Sequence, residues 1–236
     1  MLLAAAARCS EALSSSMGAL WSSSSPEPAP RVWVTGASSG LGEAIAYEYA
    51  RQKRASLVLS ARREDRLQEV SARCRALGAR TAVVALDQER LDPRKVDEAL
   101  KAFGGLDVAV INGGVSSRGA ALDTDLPTLR RVAEINFLAS AEIGRRVARD
   151  MRERDIKGRL VVVSSVQSFF GLPGRSAYGA SKHALKGYFD ALRADGLRAI
   201  DHRGERRVRP RLHTDIGAAV QGAELILAPL PAFAQS

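Results

Sequence analysis

Two cysteines, three histidines and an aromatic content of 5% are little for a chain of 236 residues. Cys9 and Cys74 stand far from each other and from the histidines. That excludes a disulfide framework and a Cys/His metal site, and it favours a reducing compartment. The scarcity of aromatics leaves Val, Leu, Ala and Ile to fill an interior. No stretch reaches the roughly 18 consecutive apolar residues that a membrane-spanning helix needs. Acidic residues are also outnumbered, 26 against 35 Lys and Arg, for a net charge of +9. Such a balance raises the question of nucleic acid or acidic lipid. The arginines, however, are spread over many helix-like segments without interleaved aromatics, so they read as a solvated basic surface and no nucleic-acid partner is expected.

With 46% hydrophobic residues, the chain can bury one core of ordinary domain size. Residues 1–30, Ala/Ser-rich and closing on "SSSSPEPAP", read as a disordered leader. A cytoplasmic location is favoured, with organelle targeting by this leader as the alternative. From residue 31 the runs "RVWVTG", "SLVLSAR", "TAVVALD", "DVAVING" and "GRLVVVSS" alternate with longer segments carrying apolar residues every three or four positions, including "LPTLRRVAEINFLASAEIGRRVARDMRERD". Short β-branched runs between amphipathic segments indicate βαβ units, and hence an α/β fold with a Rossmann-type, doubly wound parallel sheet.

The first run leads straight into "VTGASSGLGEAIA". Gly36, Gly40 and Gly42 fall between strand and helix, where backbone N–H groups at a helix N-terminus favour an anion such as a dinucleotide pyrophosphate. The spacing is GxxxGxG. At the end of the second run, where an acidic residue would bind the ribose 2′-hydroxyl of NAD, the chain has Arg62 and Arg63, whose forked donors suit a 2′-phosphate; NADP(H) is expected. Glu64 and Asp65 follow at once and could instead pair with both. In "SAYGASKHAL", Tyr178 and Lys182 share a helix face one turn apart, and a phenol beside a fixed cation is easier to ionise.

Over residues 31 to about 195 the chain resembles the short-chain dehydrogenase/reductase family. The resemblance is carried by "TGASSGLG", by "NGG" at 112–114 where the family usually shows Asn-Ala-Gly, by Asn136 in "EINFLA", by Ser165 in "VVVSSVQSFFGLPGRSAY", and by "YGASK". It implies carbonyl–alcohol interconversion by hydride transfer, with Tyr178 as acid/base. Lys182 would assist the phenol and hold the nicotinamide ribose, Ser165 would bind the substrate oxygen, and Asn136 would serve a proton relay from Lys182 to solvent. The implied cofactor set is Gly36, Ser38, Ser39, Gly40, Leu41 and Gly42, then Arg62 and Arg63, Asp87 at the end of the third strand, Asn112 and Gly113, with Tyr178 and Lys182 shared. "GLPGRSAY" and "SKHAL" resemble the hydroxysteroid-dehydrogenase-like and seven-type reductase subgroups, which implies a lipophilic small-molecule carbonyl or alcohol.

Beyond "ALRADGLRAI" the pattern departs from the family. A buried sixth strand cannot carry Arg203, Glu205, Arg206, Arg207 and Arg209 unpaired, so the sheet is expected to stop after the fifth strand and its helix. "RPRLHTD", written as degenerate codons and read one base later, permits a Pro-Gly-Tyr-Ile stretch of the kind the family places here. The domains expected are the leader at 1–30, the NADP-binding domain at 31–199, and a poorly ordered tail at 200–236 from a shifted or mis-spliced frame. A family-type homo-oligomer is doubtful with this tail. Two other classes compete: an inactive dinucleotide-binding protein without a complete substrate site, and a nucleic-acid binder using the Arg-rich tail.

Overall fold

The computed structural model describes residues 29–53, 55–198 and 215–218. Strands and helices alternate along it: β1 (Arg31–Thr35), α1 (Gly40–Lys53), β2 (Ser56–Ser60), α2 (Glu64–Ala76), β3 (Arg80–Val83), α3 (Pro93–Lys101), β4 (Val108–Ile111), α4 (Leu126–Ala133), α5 (Ala139–Glu153), β5 (Arg159–Ser164), α6 (Ser176–Arg198) and β6 (Asp215–Ala218). The sheet order is β3-β2-β1-β4-β5-β6, with every pairing parallel. The chain winds outward from β1 to β3, returns to β4 beside β1, and winds outward the other way. That reversal leaves a crevice beyond the C-terminal ends of β1 and β4.

Successive strand residues face opposite sides, and each side meets its own helices. Trp33, Ala109, Ile111, Leu160 and Val162 pack with Val96 and Leu100 of α3, Ile143 and Val147 of α5, and Leu185 and Phe189 of α6. On the other side Val32, Val34, Leu57, Leu59 and Val110 meet Ala46 and Ala50 of α1 and Leu67, Val70 and Cys74 of α2. The Trp33 indole N–H is buried and donates to Ser60 Oγ at 2.9 Å. Burial pushes the Cys74 thiol up to about 11, so it stays protonated and serves as packing. Cys9 lies outside the described residues.

Helix starts follow local chemistry. Asp92 accepts from Arg94 N (2.9 Å) ahead of Pro93, and Asp125 accepts from Thr128 N (2.9 Å) with Pro127 in the first turn, which satisfies otherwise orphaned donors. The long segment 126–155 is not one continuous α-helix. α4 and α5 are joined by a π-helical turn over Glu134–Leu138, in which Ala139 N reaches back five residues to Glu134 O. On α5 and at its C-terminal end the arginines pair along the helix: Arg145 and Arg146 with Glu142, Arg149 with Glu153, and Arg154 with Asp150, all three or four residues apart.

The expected loss of the sixth strand is corrected. Asp215–Ala218 pairs in parallel with β5, Asp215 opposite Val161 and Ala218 opposite Ser164. The charge argument applied to residues 203–209, which lie outside the described residues; "DIGA" lies beyond that run and carries only Asp215. No helix among the described residues is long and apolar enough to cross a membrane.

Candidate active site

The turn between β1 and α1 cannot be built with side chains in place of its glycines. Gly36 and Gly40 have φ of 67° and 61°, the left-handed region that glycine enters freely. A Cβ on Gly42 would lie 2.3 Å from Gly36 O and 2.6 Å from Asn112 Nδ2. Asn112, at the exit of β4, locks this turn: its Nδ2 donates to Thr35 O (3.2 Å) and Gly36 O (3.4 Å). Thr35 Oγ1 in return accepts from Asn112 N (3.0 Å) and Gly113 N (3.2 Å). Leu41 is half-buried in the first turn of α1.

Above the turn lies a cleft of about 250 Å³. Gly36, Ser38, Ser39, Arg62, Arg63, Asp87, Asn112 and Gly113, all expected from the sequence, line it, together with Gln88, Gly114, Val115 and Ile135. Arg63 turns to the serines of the turn, donating to Ser38 Oγ (3.3 Å) and Ser39 Oγ (3.1 Å). Arg62 is exposed at the rim. Asp87 lies beyond β3 rather than ending it. Backbone bonds from Val84 N to Leu59 O and Leu86 N to Ala61 O carry the chain on beside β2 to the cleft, where Asp87 Oδ1 accepts from Glu89 N at 3.0 Å.

Gly114 and Val115 join the cleft to Asn136 and Lys182. A Cβ on Gly114 would sit 3.1 Å from Asn136 Oδ1 and 3.9 Å from Lys182 Nζ. Asn136, in the π turn and fully buried, pairs with Val115 as a strand would: Oδ1 accepts from Val115 N (2.7 Å) and Nδ2 donates to Val115 O (2.9 Å). Its Nδ2 also donates to Ser181 Oγ (3.0 Å), which donates to Tyr178 O (2.7 Å). Asn136 thus braces α6 where Tyr178 and Lys182 sit.

Lys182 is 5% exposed and its Nζ donates to Val163 O at 3.1 Å. Nζ lies 5.8 Å from the Tyr178 ring centroid. Burial pushes the Lys182 ammonium down to about 8, since leaving water disfavours the charged form. Ser165, 3% exposed at the exit of β5, accepts from Gln167 N at 3.2 Å, which leaves its O–H as a donor. A second cation was not expected: the Arg175 guanidinium lies 5.8 Å from the same Tyr178 ring and donates to Ser117 O at 3.1 Å. No cluster of metal-ligating side chains occurs among the described residues.

The sequence reading missed Thr35, Gln88, Ser181 and Arg175. Thr35 looks like any β-branched strand residue and Gln88 like any polar residue after a strand. Only their long-range partners distinguish them.

A family model described as short chain dehydrogenase matches residues 30–199. Dehydrogenase/reductase SDR family member 7 of Homo sapiens is 39% identical over 170 residues, 70% of this chain and 50% of that protein. The 11-beta-hydroxysteroid dehydrogenase A of Sesamum indicum is 42% identical over 168 residues, 70% and 47% respectively. The chain spans about half the length of the curated relatives it matches. Among solved structures, acetoin dehydrogenase of Enterobacter cloacae superposes with a TM-score of 0.67 at 26% identity, covering 72% of this chain and 68% of the other.

Proposed function

The chain belongs to the short-chain dehydrogenase family, and on that premise we propose that it is an NADP(H)-dependent oxidoreductase interconverting a carbonyl and an alcohol, with Tyr178 as acid/base. The observation that carries the reading is the buried Lys182 one helical turn from Tyr178, next to a glycine-walled cleft. The cleft suits the phosphates of a dinucleotide: Gly36 and Gly40 take left-handed φ in the turn that opens α1, and main-chain N–H groups at a helix N-terminus favour an anion. When bound, the nicotinamide supplies or accepts the hydride. In the reducing direction Tyr178 gives its proton to the carbonyl oxygen and Ser165 O–H steadies the charge developing there; in the oxidising direction Tyr178 takes the alcohol proton. Lys182 holds positive charge beside the phenol, and Asn136 keeps Ser181 and Val115 in register around it. NADP(H) is preferred over NAD(H) on the strength of Arg62 and Arg63 at the cleft and the absence of an acid in their place. A lipophilic carbonyl or alcohol suits Phe169, Phe170 and Leu172, exposed between β5 and α6, and the hydroxysteroid-dehydrogenase names of relatives point the same way.

The test is to titrate the 236-residue protein with NADPH by fluorescence and to follow NADPH oxidation against a panel of lipophilic ketones and aldehydes. Saturable binding with turnover is expected. Binding without turnover leaves a dinucleotide-binding protein, and no binding removes the proposal.

A further inference from the structure

We infer that Gln88 is a positioning residue for the π turn that carries Asn136, and that Gly113 must be glycine to leave room for it. The inference rests on the oxidoreductase reading above. Gln88 is 8% exposed and lines the cofactor cleft. Its Nε2 donates to Ile135 O (3.1 Å), inside the π turn, and to Ser140 Oγ (3.3 Å), just beyond it. Its Oε1 stands 1.6 Å from where a Cβ on residue 113 would be, and its amide carbon 2.7 Å. A single buried amide therefore joins the exit of β3, the exit of β4 and the widened turn between α4 and α5.

A π turn is an uncommon interruption whose carbonyls leave the α-helical pattern, and such turns recur at functional sites. A buried carbonyl without a donor is unfavourable, and here the Ile135 carbonyl is served by Gln88. The next residue is Asn136, whose amide holds Val115 and Ser181, and Ser181 in turn holds the Tyr178 carbonyl. The contacts thus run Gln88, Ile135, Asn136, Ser181, Tyr178, from the cofactor cleft to the acid/base helix. A hydrocarbon at position 88 could fill the space but could not donate. A methyl at position 113 would have to push the amide aside, which removes both of its hydrogen bonds. Losing Gln88 and adding a methyl to Gly113 are therefore two routes to one defect.

The experiment compares Gln88→Met, Gly113→Ala and the two combined, in the 236-residue protein. Gln88→Met keeps the length and removes the donors. Amide hydrogen exchange over residues 134–140 should accelerate in each single variant. Turnover should fall about five- to tenfold, the scale of a lost buried hydrogen bond, with the NADPH dissociation constant moving less than about threefold. The combination should be no worse than either single change, because both remove the same contacts. Multiplying losses, or unchanged exchange over 134–140 in Gln88→Met, overturn the inference. If Gly113→Ala does not fold, exchange in Gln88→Met decides alone. If no carbonyl is turned over by the parent protein, faster exchange in Gln88→Met still upholds the role of Gln88 in the turn, while the reaction assigned above falls.

Discussion

Within the two halves of the sheet the strands nearest the site are covered differently, while the edge strand β3 is exposed at Arg80 and half-buried over Thr81–Val83. β2 and β4 are buried along their whole length and β1 in all but Arg31, whereas β5 alternates: Leu160, Val162 and Ser164 are buried and Arg159, Val161 and Val163 only half-buried. Parallel sheets ordinarily have both faces covered. The cleft proposed to hold the cofactor belongs to the first half, built from the ends of β1, β2 and β4. The residues proposed to handle the proton belong to the second, at the end of β5, on α6 and in the π turn, and Asn136, Ser165 and Lys182 are each 5% exposed or less. They are enclosed because α6 and the π turn lie on the covered face of β5. The incomplete burial therefore lies on one face, and the enclosed Asn136, Ser165 and Lys182 are grouped with the other.

If the halves divide binding from chemistry in this way, Tyr178→Phe should separate them most sharply. It removes a proton donor while keeping the ring between Arg175 and Lys182. Turnover should fall by about 10² to 10⁴, the usual contribution of a positioned acid/base, with NADPH affinity held within a few-fold. Measurable turnover near the parent rate would place the acid elsewhere.

Lys182 allows a test in the opposite direction, in which removing a functional group stabilises the protein. With its ammonium pushed down to about 8 from an ordinary 10.5, the unfolded chain binds more protons than the folded one between those values. Stability of the cofactor-free protein therefore rises with pH through the window from about 8 to 10.5, and the full penalty applies below it. Lys182→Met should raise the urea midpoint at pH 7, by at most about 3 kcal/mol in stability, less whatever the bond to Val163 O contributes. The gain should fade as pH approaches 10.5. An equal gain at pH 7 and pH 10.5 would mean that packing, not charge, is responsible.

Within the cofactor half, the two arginines should part company. Arg62→Asp puts a repelling charge at the rim of the cleft and should weaken NADPH by about 1.5–3 kcal/mol while sparing NADH. Arg63→Asp should weaken both nucleotides, because Arg63 also ties Ser38 and Ser39 of the glycine turn. Equal losses for NADPH and NADH with Arg62→Asp would reduce that residue to a structural one. Calorimetric titration with each nucleotide reads the difference.

What could be read from the sequence follows the same division. The βαβ order, the glycine turn and the pair Tyr178/Lys182 were legible because local period and spacing express them: alternating strand faces, a turn needing left-handed residues, an interval of one helical turn. Asn136 was legible only through family resemblance, and its π turn not at all, since nothing in "RRVAEINFLASAE" departs from α-helical periodicity. Gln88 carries no local signal because its partners lie 47 and 52 residues away. The strand Asp215–Ala218 was missed because the charge run before it dominated the reading of the tail. Four residues with one charge are too short to show a period of two.

The smallest and most direct test of the comparison uses one substitution chemistry on the same face of two adjacent strands. Val110 of β4 and Val161 of β5 are register partners, so they point to the same side of the sheet, the side that packs on α1 and α2 near β1. Val110 is 2% exposed and belongs to that core, while Val161 is half-buried and packs at its margin. Truncation removes two methyl groups from each. At about 0.8 kcal/mol per buried carbon plus a cavity contribution, Val110→Ala should lose about 2 kcal/mol. Val161→Ala should lose less than about 1 kcal/mol, because solvent already reaches the side chain and can occupy the space left behind. Urea unfolding of both variants, with and without saturating NADPH, measures the difference. On the proposed function NADPH binds the folded protein alone, so it should raise the midpoints of both by the same increment if the cleft is intact in each. Equal losses from the two truncations would mean that β5 is as well covered in solution as β4, and the contrast between the halves would disappear.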